Sequence, residues 1–557
     1  MLLLQAAAHP CVAALHLLAI LLCAALVFGC LAAAVLVVST RRKLAAVAAI
    51  PTFDDEDHHF IWGNIQWFIS QDVHRRFAKK AKELGPVYRI RMAVNVMVVV
   101  NDAAEAARIC MRGDSFMDKA TVAYNGLNLA ATGPITTNLI TCHTDDQWKL
   151  LRKAVSLCFS SSNVKAALPV IQSISAKIFD QIEAAGPKQA YDIIDLARRV
   201  TAEAIGRWGF KTTFGADDLS QPNTLGSMMD DILNAVHRLW GNPFWAFKLL
   251  TSAEARVHRA NTLRYDSFMY IVTRELLARP LDALPSDCIA GALLRVTQPS
   301  GKPLPFHQLK SNVSVMLAAG FETSASAIGS IVVSLLQHPA ELARLQDELN
   351  AFGLLKTHTR PEPRTVEWED LGRMTFLNAV IKETLRIHSP ASLGTIRVAS
   401  KATKICSYDV PAGTWLCFPF AAIDRSPAVY GADADSFRPS RWIPCPSKAG
   451  DTIAASWGGT GVHNGDISNV YHSDGFAGKL KAPGRLKEPI AFGMGPRDCA
   501  GQALARLEMQ IVIVELFSRF HVTLAPGMGT PDEIFSRQIS HGTLTFDGEV
   551  MMRMEAR

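Results

Sequence analysis

Apolar positions along this chain fall into three kinds of run, and each predicts a different element. From Val12 to Val38 they are nearly continuous, with His16 the one polar side chain among them, and residues 1–40 hold no Asp, Glu, Lys or Arg. Such a run is long enough to cross a bilayer core of about 30 Å as a helix. A cleaved signal peptide would need a basic n-region and an apolar core of only about 7–15 residues, and a transit peptide would be Arg-rich and amphipathic. A membrane anchor over residues 1–43 is therefore expected. Arg41, Arg42 and Lys43 follow at once, so the positive-inside rule leaves the short N-terminus outside and the rest of the chain in the cytosol.

The second kind of run is periodic. Val73, Phe77 and Ala81 recur at i, i+4 and i+8 among cations, which predicts a helix over Asp72–Leu84 closed by Gly85-Pro86. From about residue 145 to 350 the pattern is mostly helical, broken by Pro and Gly. The third kind is short and β-rich. Val87–Arg91 and Val96–Val100 read as a hairpin, after which Asn101-Asp102 caps the next helix, and further β pieces are expected near 395–420 and 540–550. No internal repeat is visible. The order predicts a mainly α, α+β body of residues 61–557, with 44–60, including Asp54-Asp55-Glu56-Asp57, as a linker.

Composition narrows the function. Of 557 residues 49% are hydrophobic and 19% charged, with mean hydropathy +0.14, which excludes a disordered chain. A net charge of +6, with no basic run interleaved with aromatics, excludes a nucleic-acid protein. The eleven cysteines are scattered, three of them (Cys11, Cys23, Cys30) in the apolar N-terminus, and no C-x-x-C occurs. Neither a disulfide scaffold nor a structural zinc site is expected.

Against that background one cysteine stands in a special context. Phe492-Gly493-Met494-Gly495-Pro496-Arg497-Asp498-Cys499-Ala500-Gly501-Gln502 precedes a helical run from about Ala503 to Phe520. Glycines allow a flat ligand to approach the backbone, and amide N–H groups at a helix start favour thiolate. Phe-x-x-Gly-x-Arg-x-Cys-x-Gly resembles the heme-binding signature of the cytochrome P450 family. The resemblance implies the P450 fold, heme b, Cys499 as the axial thiolate on its iron, and Phe492, Gly493 and Gly501 around the cofactor.

Other parts of that family's pattern lie upstream in the same order. Glu383 and Arg386, in Lys382-Glu383-Thr384-Leu385-Arg386, resemble its Glu-x-x-Arg helix, and Phe437-Arg438-Pro439-Ser440-Arg441-Trp442 resembles its Pro-Glu-Arg-Phe motif, with Ser440 for the usual Glu and Trp442 for the usual Phe. Glu383, Arg386 and Arg441 are then expected as a buried structural triad. Trp148 and Arg152 stand at i and i+4, and in the family such a pair faces the heme propionates, as Arg397 and Arg497 are also expected to do.

Between Ser311 and Gln337, 27 residues carry one charge, Glu322, and eight Ser, Thr and Asn. A helix buried through the domain fits this better than a second membrane span. Ala319-Gly320-Phe321-Glu322-Thr323 resembles the family's oxygen-activating helix. Thr323 is predicted to back-bond to the Ala319 carbonyl and bend the helix. By resemblance Thr323 and Glu322 serve proton delivery while dioxygen is reductively cleaved, which favours a monooxygenase over a reductase-independent isomerase or dehydratase of oxygenated lipids, or a non-catalytic heme-binding protein.

No nicotinamide or flavin fingerprint occurs in the chain. Electrons from NADPH are thus expected through a separate P450 reductase, with cytochrome b5 as an alternative donor, docking near Lys149, Lys153 and Arg497. The substrate is expected to be a lipophilic small molecule, contacted by the loops near 115–140 and 205–250 and beside Leu393-Gly394. The endoplasmic reticulum membrane is the expected site, an organelle envelope the alternative. One departure from the family is plain: 49 residues separate Trp442 from Phe492, where the family has a short meander. Residues 443–489, with eight Gly and four Pro, are expected to form an insertion loop on the surface.

Overall fold

The computed structural model describes residues 34–53, 58–111, 117–121, 138–240, 252–443 and 488–557, together with Val27. Most of the expected membrane span, the acidic run 54–57 and residues 444–487 of the insertion lie outside the described residues. Residues 34–46 are helical. Within the 44–60 stretch, expected as a linker, two residues are buried against the body while Thr52, His59 and Phe60 are exposed. Val47 and Ile50 are buried beside Val87, Val96 and Val98, and the Arg89 N–H donates to the Pro51 carbonyl at 2.8 Å. Their apolar side chains have a better place against the hairpin than in water.

The helical layers surround one long axis. Phe306–Gln337 runs through the core, buried over most of its length, and packs against Ile193–Ala204 and Gln502–Arg519. It is long and apolar enough to cross a membrane, but its burial makes it the central helix of the domain. Helix Ile193–Ala204 continues into a π-helical turn, Ile205–Phe210. Glycine allows these helices to approach closely: a Cβ on Gly329 would stand 2.1 Å from Ile194 Cδ1.

The predicted hairpin is present as Val87–Met92 and Asn95–Val100. It extends into a five-stranded sheet in the order Val87–Met92, Asn95–Val100, Trp415–Phe418, Thr395–Ala399, Met117–Lys119. Only the contact of Asn95–Val100 with Trp415–Phe418 is parallel. The helix expected to reach Phe520 ends at Arg519, because Phe520–Leu524 extends as a strand against Met551–Ala556, which also pairs with Ala190–Asp192. The result is the expected α-rich body with small sheets at its margins.

Candidate active site

An interior cavity of about 340 Å³ is lined by the central helix on one side and by the Phe492–Gly501 loop on another. The loop's shape follows from its glycines. Gly493 and Gly495 take φ of +76° and +71°, and a Cβ on Gly495 would stand 2.0 Å from the Cys110 carbonyl oxygen. The Cys499 N–H donates to the Phe492 carbonyl at 2.8 Å, closing the loop and leaving the thiol on the cavity wall. Cys499 is exposed and borders this cavity.

The expectation of an acidified thiolate at a helix start needs correction. The helix begins at Gln502. Burial raises the Cys499 thiol above its ordinary value, opposed by the Gly501 N–H and Arg152. A metal cation held by this sulfur would favour its thiolate form.

Cations gather along another part of the wall. Trp148 and Arg152 lie one turn apart on Asp146–Cys158, a helix whose cap, Asp145, accepts the Trp148 N–H at 2.8 Å. Arg152 donates to the Asp498 carbonyl at 2.8 Å and pairs with the Asp498 carboxylate. Arg497 lies 4.1 Å from the centre of the Trp148 ring and donates to the Cys142 carbonyl at 2.7 Å and to Thr144 Oγ1 at 3.0 Å. Burial lowers its pKa to about 10, so it keeps its charge at neutral pH. Arg397 lines the cavity from strand Thr395–Ala399.

Sequence reasoning placed Lys119 only within a substrate loop. The antiparallel register sets it opposite Arg397, and both are buried on the cavity wall, with Lys119 Nζ 3.3 Å from Thr395 Oγ1. Nothing in Met117-Asp118-Lys119 announces this, because a three-residue strand has no periodicity to read.

The central helix contributes Ala319, Gly320, Thr323, Ser324 and Ala327 to the wall. Thr323 Oγ1 donates to the Ala319 carbonyl at 3.0 Å, as predicted. Glu322 is placed differently. It is buried but does not line the cavity, and its two carboxylate oxygens each accept from Arg198 at 2.8 Å. Arg198 in turn binds Asp230, whose side chain is half exposed.

With the loop, the cations and the helix in place, comparison with known proteins is decisive. A family model described as cytochrome P450 matches residues 55–546. The chain belongs to the cytochrome P450 family. It is 25% identical over 500 residues to the cytochrome P450 monooxygenase ALT8 of Alternaria alternata, covering 82% of this chain and 80% of that protein. To the flavonoid 3'-monooxygenase of Arabidopsis thaliana it is 24% identical over 476 residues, covering 83% of each. A cytochrome P450 monooxygenase of Aspergillus terreus is 24% identical over 496 residues, covering 83% of this chain and 88% of that protein. The P450 described here is accordingly an oxidoreductase of the monooxygenase class.

Membership implies heme, and the residues present fit it. Four cations, Lys119, Arg152, Arg397 and Arg497, line one otherwise apolar cavity against a single carboxylate, Asp498, which Arg152 already holds. Lys119 and Arg397, buried opposite one another on adjacent strands, suit the carboxylates of a ligand, and the Cys499 thiol suits a metal. A dicarboxylate macrocycle with a metal facing Cys499 meets both needs.

The Glu-x-x-Arg helix, Thr375–Ile387, forms the expected buried triad. Arg386 donates to both Glu383 oxygens at 2.8 and 2.9 Å, and Arg441 Nε to Glu383 Oε1 at 2.9 Å. Trp442 adds a bond that the sequence did not announce, its indole N–H donating to Glu383 Oε2 at 2.8 Å. Arg497, expected to belong also to the docking face, is turned inward as described. Lys149 remains on the surface in a pair with Asp146 at 2.9 Å.

Proposed function

We propose that this P450 inserts one oxygen atom of dioxygen into a lipophilic small molecule, using electrons from NADPH through a separate reductase, while anchored by its N-terminal segment to the endoplasmic reticulum membrane. Four cations, two of them buried, and a cysteine on one mostly apolar cavity are the observation that carries the reading. When bound, heme supplies the thiolate-ligated iron at which dioxygen is reduced. Trp148, Arg152, Arg397, Arg497 and Lys119 would hold its carboxylates, Cys499 its iron, and Phe492, Gly493 and Gly501 the ring surface.

The chain's own residues then handle protons and water. Apolar lining residues such as Phe420, Met316 and Leu139 favour a greasy substrate and keep bulk water out. Thr323 places a hydroxyl on the cavity wall. Glu322, once it leaves Arg198, would pass protons to it from Asp230, whose half-exposed carboxyl reaches solvent.

The carbon monoxide difference spectrum and NADPH-dependent oxygen consumption test this reading together. A red-shifted band that Cys499→Ser abolishes, with oxygen uptake that requires added reductase, is expected. A normal band without reductase-dependent uptake would favour an isomerase, and no band at all a different ligand. Screening lipophilic compounds for a shift of the heme absorption identifies the substrate.

A further inference from the structure

Glu488 lies immediately ahead of the ligand loop and anchors two buried cations from two helices. Its Oε1 is 3.2 Å from Lys382 Nζ on Thr375–Ile387, and its Oε2 is 2.6 Å from Arg506 Nη2 on Gln502–Arg519. The Arg506 guanidinium is 5.1 Å from the centre of the Phe492 ring. Phe492 lines the cavity, and its carbonyl accepts the Cys499 N–H. Two residues beyond Glu488, the Ile490 N–H donates to the Asp424 carboxylate at 3.1 Å, so the take-off of the loop is fixed from a second side.

We propose that Glu488 is a positioning residue for the loop that presents Cys499, holding Arg506 over the Phe492 ring and thereby fixing the carbonyl that accepts the Cys499 N–H. Lys382 and Arg506 are each only 6% exposed, and without the carboxylate between them two buried cations would repel. Each also lies over an aromatic ring, Lys382 over Trp442 and Arg506 over Phe492, and only the second ring lines the cavity. A planar guanidinium suits that face and an ammonium suits it less well. Burial alone would raise the Glu488 carboxyl, yet Arg506 and Lys382 pull it down to about 2, so the clamp stays charged at any working pH.

The inference rests on Cys499 as the iron ligand, and the experiment separates the two. If the wild-type protein gives no red-shifted carbon monoxide band, the ligand assignment fails and this proposal with it. Where the band is present, Glu488→Gln and Arg506→Lys are compared by spectroelectrochemical titration and by the rate at which the red-shifted form decays to the short-wavelength form. Both variants are expected to change the heme reduction potential in the same direction. Glu488→Gln should also decay roughly tenfold faster, the equivalent of about 1.4 kcal/mol. In a Phe492→Leu background Glu488→Gln should cause no further change in potential. Unchanged potentials in both variants, or a full additional shift in the Phe492→Leu background, would overturn the proposal. If Glu488→Gln does not fold, Arg506→Lys decides alone, since it keeps the charge pair with Glu488 and loses only the guanidinium's contact with the ring.

Discussion

Lys119 and Arg397 face one another across adjacent antiparallel strands, both buried and both on the wall of one cavity. An anionic ligand in the cavity would be gripped by both. Lys119→Met should therefore change the stability of the heme-free protein little while weakening heme binding by about 10- to 100-fold, the size of a lost hydrogen bond to a charged group of about 1.5–3 kcal/mol. Thermal melts of the heme-free form and heme titration read the two effects separately. A variant that loses stability in both forms would make Lys119 a packing residue.

Thr323→Ala should leave folding and heme content intact, because the hydroxyl's one bond in this structure, to the Ala319 carbonyl, braces only its own helix. Product formed per NADPH should fall and hydrogen peroxide should rise in proportion. Full coupling in the variant would reduce Thr323 to a residue that bends the helix.

Much of the fold was legible because it is periodic. The Val73–Leu84 helix, the hairpin and the central helix all follow from spacing that single segments carry. What was not legible comes from pairings between distant segments. Lys119 becomes a cavity residue only through its register with Arg397, 278 positions away. The Arg198–Glu322 pair spans 124 residues, and the acid that looked free in sequence is held by a cation that nothing local singles out. Cys499 shows a different limit. The motif singles out the thiol that borders the cavity, but its ionisation depends on how much water the fold removes, and no string of residues states that.

Trp442 stands where the family usually has Phe, yet it gives the buried Glu383 a donor that Phe lacks. Trp442→Phe should cost about 1–3 kcal/mol, the penalty for leaving a buried acceptor short of a partner. Denaturant midpoints of the two proteins check it. A neutral or stabilising effect would show that Arg386 and Arg441 already satisfy the carboxylate.

Two histidines make the domain sensitive to acid. His74 is buried with neither ring nitrogen bonded, and burial, reinforced by Arg75 and Arg425, lowers it to about 3. His388, stacked on Phe535 and 2.9 Å from Gln538 Oε1, is pushed down by burial and by Arg425. Both stay neutral in the fold and charge in the unfolded chain, so stability is complete above about pH 6.5 and is lost as pH falls toward 3. For His74 the loss at pH 5 should reach about 2 kcal/mol. His74→Leu should flatten that part of the stability–pH curve, and an unchanged slope would point to other groups.

Glu508 makes the opposite demand at high pH. It is fully buried on the helix that follows the ligand loop, neither carboxylate oxygen has a hydrogen-bond partner, and burial raises it to about 8, with Ser324 limiting the rise. A folded value above the ordinary one means the fold prefers the neutral acid. Its contribution is then complete below about pH 4.5 and is lost as pH rises through 8. Glu508→Gln imitates the neutral form, so the variant should gain roughly 3 kcal/mol on the wild type between pH 5 and 8. Urea midpoints at the two pH values measure this. Infrared difference spectra supply an independent check, since the wild type at pH 7 should show a protonated carboxyl C=O band that the variant lacks. If the band is missing and the two curves run parallel, Glu508 is ionised in the fold and has found a partner, most simply a buried water shared with Ser324.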